Sequence, residues 1–309
     1  MSSPSELEAE LLQLIADTQT TNYLVAASLT LAVIEHVATF KDELKLVWNG
    51  PLRISSVIYI WMRYFALITL IIYSTFMLRE VKSDYTCQSF LLAEGVTSSL
   101  IVVTADIILV LRVWILYGRP RKLLYFLLAL VTAEIITMII VAVFTILPLR
   151  EYFHIGYTIL GCYSLRVPRY FTFYAVPLVV TSFTMFGMTL YKCGRTLFDN
   201  RAARMPVITL FLRDGVFWFL AIFAISVAEL LVWARGRPGL AQATVSPATV
   251  LNSVIGTRIL LNLKRLGATD SVSDTTVPNI ELESLATPRG KLAISSQPWY
   301  LRTADTRDV

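Results

Sequence analysis

FLLAEGVTSSLIVVTADIILVLRVWI, Phe90–Ile115, is the stretch that decides the fold. A helix rises about 1.5 Å per residue, and a hydrocarbon core about 30 Å thick needs roughly 20 apolar residues to cross it. The 26 residues quoted exceed that length, yet they hold Glu94, Asp106 and Arg112. A helix of this kind spans lipid and keeps its few charges turned inward.

Working outward, runs of similar length recur. The pattern predicts spans over Asn22–Phe40, Ile54–Leu78, Phe90–Ile115, Leu123–Leu147, Tyr170–Tyr191, Val207–Trp233 and Leu240–Leu263. The expected fold class is therefore all-α, a polytopic membrane protein with a seven-transmembrane helix bundle. The last run is the weakest, because Gln242, Ser246, Pro247, Asn252, Ser253 and Arg258 dilute it. Six spans and a surface helix are the other arrangement the pattern allows. Composition agrees with lipid: the chain is 56% hydrophobic and 16% charged, against about 25% charge in ordinary soluble domains.

Three regions are expected. Residues 1–20 read as an extracellular acidic amphipathic segment, since Ser5-Glu6-Leu7-Glu8 fits a capping box and Leu7, Leu11, Leu14 and Ile15 follow at helical spacing. This stretch lacks the basic start of a signal peptide, so the first span is expected to act as an uncleaved insertion signal. Residues 21–265 form the helical domain. Residues 266–309 read as a disordered cytosolic tail rich in Ser, Thr, Asp and Pro. Within it Thr287-Pro288-Arg289 suits a proline-directed kinase, though such tripeptides also arise by chance.

Alternate connections differ in charge. One set, including Lys41, Lys45, Arg119, Arg121, Lys192 and Arg195, holds fourteen Lys and Arg; the other holds seven. The positive-inside rule puts the richer set in the cytosol, the N-terminus outside and the C-terminus inside. The longest spans suit the thick plasma membrane. The net charge of +5 is then explained by loop cations facing anionic lipid, with no nucleic acid required.

Three cysteines are present. Cys87 and Cys162 both fall on the outer, oxidising side, where an even pair can form a disulfide holding the second outer loop on the third span; two separate thiols are the alternative. Cys193 lies at the inner end of the fifth span, either palmitoylated or free.

Intramembrane charges form three layers by depth. Arg63, Asp106 and Glu134 lie near the midplane, where Arg63 is expected to pair with one or both carboxylates. Glu35, His36, Arg112, Arg213, Asp214 and Arg258 lie nearer the cytosol. Glu94 and Glu229 lie near the outer face, as candidates for an outer cavity. Such layers either rearrange with a ligand, relay ions or protons, or fix helix packing. His36 reads as a hydrogen-bonded packing residue.

Enzymatic chemistry finds little support. The two histidines, His36 and His154, lie on opposite sides, too few and too far apart for a three-histidine zinc site. Neither G-x-S-x-G nor a phosphate-binding G-x-x-x-x-G-K-[ST] occurs. No cofactor or metal is expected, and Lys264 stands too near the span end for a retinal linkage.

The residues Asn22-Tyr23-Leu24-Val25-Ala26-Ala27, Glu35-His36, Val47-Trp48 and Arg63-Tyr64, with Leu111-Arg112-Val113-Trp114-Ile115-Leu116-Tyr117 and Arg258-Ile259-Leu260-Leu261-Asn262-Leu263, resemble a family of seven-span membrane proteins of mushroom-forming fungi (basidiomycetes). That family carries an N-terminal domain of unknown function. The resemblance covers most of residues 22–265 and implies the fold and a fungal source, with no established activity. The layout is also similar to a G-protein-coupled receptor in general topology. However, Leu111-Arg112-Val113 stands where Asp-Arg-Tyr closes the third span of receptors, and the seventh span has no Asn-Pro-x-x-Tyr, so no receptor residue is carried over. The functions to weigh are receptor-like signalling with a small-molecule ligand and a cytosolic partner at the basic loops, transport of a small solute or proton, and a ligand-free scaffold.

Overall fold

The structure, a computed structural model, describes residues 4–49, 54–79, 84–146, 169–198, 206–237 and 240–275. Met1–Leu266 forms one compact unit and Gly267–Val309 a second. Every long element is a helix: α1 (Pro4–Glu43), α2 (Ile54–Met77), α3 (Asp84–Leu116), α4 (Arg121–Ile146), α5 (Ala175–Phe198), α6 (Pro206–Arg235) and α7 (Val245–Thr275). Prolines fall at their starts, in Pro4, Pro177, Pro206 and Pro247, where a missing N–H costs no intrahelical bond.

Among the described residues six helices are long and apolar enough to cross a membrane, within α1 to α6. Their outward faces carry Val37, Ile72, Ile139, Phe183 and Leu231, all exposed large apolar residues. In water such a surface would be untenable; against lipid it is the expected exterior. The protein is a multi-pass helical membrane protein.

Two boundaries differ from the sequence reading. The acidic N-terminal segment is continuous with the first span in one 40-residue helix, and a single π-helical turn, Leu44–Trp48, extends it further. No Pro or Gly interrupts the chain between Pro4 and Asn49, so nothing breaks the helix. At the other extreme α7 runs on to Thr275, nine residues past the expected start of the tail. Residues 276–309, including Thr287, lie outside those described.

The α3–α4 turn closes with Gly118 at φ 80°, the Gly118 N–H donating to Ile115 O (3.0 Å) and the Arg119 N–H to Trp114 O (3.0 Å). This Schellman arrangement satisfies the last carbonyls of α3 and favours glycine at the left-handed position. The core beside it is built from Tyr59, Ile108, Val113, Leu127, Met185, Phe219, Ile255 and Ile259, all under 3% exposed.

α7 is the interior element. Ser246, Thr249, Asn252, Ser253 and Thr257 are all buried. Its Ser253 hydroxyl donates to Met62 O of α2 (3.1 Å). At Gly256 the α7 backbone passes so near α2 and α3 that an added Cβ would stand 3.1 Å from Met62 Cε and 3.2 Å from Ile108 Cδ1. Small and hydroxylated residues at a helix interface allow this approach. Ser246, Asn252 and Ser253, three of the polar residues that weakened the seventh run in the sequence, are therefore turned into the bundle.

Candidate functional site

Three polar groups stand out among the described residues. The first lies where α1 meets α2, near their shared connection. Glu43 is fully buried and takes hydrogen bonds from Trp48 Nε1 (3.0 Å) and Tyr64 OH (2.9 Å). Arg63 Nε lies 2.9 Å from Glu43 Oε2, with its hydrogen directed to His36 Nδ1 (3.1 Å). The guanidinium also donates to Thr39 Oγ1 (2.6 Å) and His36 O (2.7 Å), and it sits over the Tyr59 ring at 5.6 Å. A cation bonded on all sides with its counter-ion in contact is how a buried charge is tolerated. An acceptor at Nδ1 means that His36 is the neutral tautomer with its proton on Nε2.

The expected pairing of Arg63 with Asp106 or Glu134 is thus corrected. α2 lies beside α1, and α1 stays helical to Glu43, bringing that carboxylate to Arg63. Glu43 was missed because the apolar run ends at Phe40, which made it look like a loop residue. The available signal was spacing: His36, Thr39 and Glu43 lie three and four residues apart, on one helical face.

The second group is the pair left behind. Asp106 on α3 and Glu134 on α4 are 5% and 1% exposed, and their carboxyl groups are within hydrogen-bonding reach of each other, with Thr181 of α5 beside Glu134. Among the described residues no Lys, Arg or His forms an ion pair with either. Asp106 Oδ2 and both Glu134 oxygens receive no donated hydrogen.

The third group lies nearer the end that holds the α6–α7 connection. Glu94 accepts from Gln242 Nε2 (2.5 Å), and Tyr73 OH donates to Glu94 O (2.7 Å). Glu229 borders a cavity of about 30 Å³ with Ser98, Ser99, Tyr174 and Thr249, room for a water or two rather than a drug-sized ligand. Of the two outer candidates only Glu229 reaches this space. Tyr174 bonds Ser99 Oγ (2.5 Å) and stacks among Phe171 and Trp233.

Of the cytosol-side layer, Glu35 and Arg258 form a two-bond fork (2.6 and 2.8 Å) from α1 to α7, with Arg258 also over the Trp218 ring at 6.0 Å. Arg265 pairs with Asp42 farther along the same two helices. A second cavity, about 20 Å³, opens between Glu35, His36, Arg63 and Thr257. Arg112 lies over the Phe219 ring at 5.8 Å. The side chains of Arg213 and Asp214 lie outside those described. Cys193 is a free thiol, 3% exposed. Cys87 is buried with Tyr73, Met77 and Phe90, and Cys162 lies outside the described residues. In the α3–α4 turn, burial pushes the Tyr117 phenol above its usual range, reinforced by Tyr191 and Cys193; its OH donates to Met188 O (2.9 Å).

Residues 23–68 match a family of unknown function, DUF6533. The matched segment is the α1–α2 hairpin, and it contains His36, Thr39, Glu43, Trp48, Tyr59, Arg63 and Tyr64, the whole of the first polar group. No curated protein and no solved structure matches the chain.

Proposed function

We propose that the protein is a seven-span, receptor-like signalling protein of the plasma membrane, in which movement of α7 against α1 carries the signal to the cytosolic side. The observation that carries this reading is the position of α7. It is a 31-residue helix whose stretch from Ser246 to Thr257 buries small and polar residues, and farther along it is tied to α1 by the Arg258–Glu35 and Arg265–Asp42 ion pairs. Of these, Arg265–Asp42 lies past the apolar runs, with side chains 54% and 39% exposed. Exposed pairs are weak, on the order of 0.2–1 kcal/mol, so such a clasp opens at little cost.

The excess of basic residues on the α1–α2, α3–α4 and α5–α6 connections supports placing that side in the cytosol, with the N-terminus outside. The same connections suit an acidic cytosolic partner. A bridge between Cys87 and Cys162 belongs to this reading, as both cysteines fall on the outer side. The resemblance to a fungal seven-span family supports the count of spans.

A second reading, transport of a proton or small solute, is favoured by the Asp106–Glu134 pair. The two are separated by bio-orthogonal spin labels at the exposed positions Val37 and Leu190 in the reconstituted protein. A second distance population on Glu35→Gln, with no flux in sealed vesicles, supports the receptor-like reading. Flux that Asp106→Ala abolishes replaces it with transport. A single unchanged distance and no flux leave a scaffold.

A further inference from the structure

We infer that Asp106 and Glu134 form a proton-binding site inside the bundle, reached from the α6–α7 end through the water-sized cavity at Glu229. Two ionised carboxylates are acceptors only, so they cannot hydrogen-bond to each other. Contact between Asp106 and Glu134 closes as a hydrogen bond when one oxygen carries a proton, and it loosens when that proton leaves. No cation among the described residues supplies the alternative means of holding the two together. Binding adds one proton to a carboxylate oxygen and breaks no other bond.

The surroundings support this ligand. Tyr174 and Glu229 line the cavity together, and the Tyr174 hydroxyl bonds Ser99 of α3, the helix that carries Asp106. Thr249 of α7 is 1% exposed, lines the cavity and leaves its Oγ1 without a partner. An unpartnered, buried hydroxyl at a polar space of this size marks an ordered water. Thr249, Glu229 and Tyr174 thus put three groups able to hold or pass a proton on the cavity wall. Thr181 of α5 stands beside Glu134, and the titratable groups on the cavity wall are Tyr174 from the turn before α5 and Glu229 of α6. From α7 the cavity receives Val245, Ala248 and Thr249, with no titratable side chain. Arg63 of α2 is turned to Glu43.

The inference rests on the receptor-like reading only in treating the proton as that receptor's stimulus; the site itself is read independently. The test is infrared difference spectroscopy of the full chain in nanodiscs, following the protonated-carboxyl C=O band through a pH titration. Wild type is expected to lose a band on alkalinisation and to release one proton more than Asp106→Asn/Glu134→Gln, which lacks the band. Asp106→Asn alone shifts the band, since Glu134 then bonds an amide. Glu229→Gln keeps the band but slows its response to a pH jump at the outer face at least tenfold. A band that survives in the double variant overturns the site, as does its absence in wild type or its loss on adding sodium at fixed pH. If the double variant fails to fold, Glu134→Gln is read in the same way. A normal band alongside a Val37–Leu190 distance that ignores pH upholds the site and refutes its role in the receptor-like movement.

Discussion

Replacing Arg63 by Met keeps an unbranched side chain of similar length but removes the cation beside a carboxylate that is 0% exposed. Three donated bonds go with it, to Thr39, His36 O and His36 Nδ1. Breaking a buried pair from one side costs about 3–5 kcal/mol, because the remaining charge is left uncompensated. Glu43→Gln in the same chain removes that charge while its amide oxygen still accepts from Trp48 and Tyr64. The double variant should therefore be more stable than Arg63→Met alone, with a coupling energy of about 2–3 kcal/mol. Denaturant unfolding in detergent, followed by tryptophan fluorescence, measures all four corners of the cycle; Trp48 reports locally through its bond to Glu43. The reasoning fails if Arg63→Met lies within about 0.5 kcal/mol of wild type, or if the two effects add within the same margin.

Gly256→Val should destabilise by about 1–3 kcal/mol through overpacking, while Gly256→Ala should cost less because the end of Met62 can move; the same unfolding assay ranks them. Arg265→Ala should change stability by less than about 1 kcal/mol, its pair with Asp42 being exposed on both sides, yet shift the Val37–Leu190 distance distribution, so a large stability loss would show that this end of the clasp is not a weak one. Mass spectrometry of unreduced protein should recover a peptide joining Cys87 to Cys162, and finding both carboxyamidomethylated without prior reduction would remove that bridge from the account.

What the sequence made legible was depth along each helix. Apolar run length placed α2, α4 and α6 within a few residues, because lipid leaves little freedom in where a span can end. Depth also aligned Asp106 with Glu134. What it could not supply was which helices are neighbours and which way each face turns, so Arg63 was assigned to carboxylates at its own level instead of Glu43 on the adjacent helix. The end of α1 was hidden for a related reason: helical propensity carries the backbone beyond the apolar stretch, and Lys41, Asp42 and Glu43 give no stop signal. α7 shows the reverse. Its polar residues lowered its hydropathy, although several of them are buried against other helices, where lipid exerts no selection against them. Cavity position and the clasp to α1 required coordinates.

The central proposal is that α7 is a seventh crossing, packed among the six apolar helices. Epitope tags at the two chain ends, probed in sealed vesicles of known sidedness before and after permeabilisation, test it most directly. Seven crossings predict one tag accessible from outside and the other only from the cytosolic side. Both tags accessible from one side would mean that α7 does not cross, and the account of its interior role would fall.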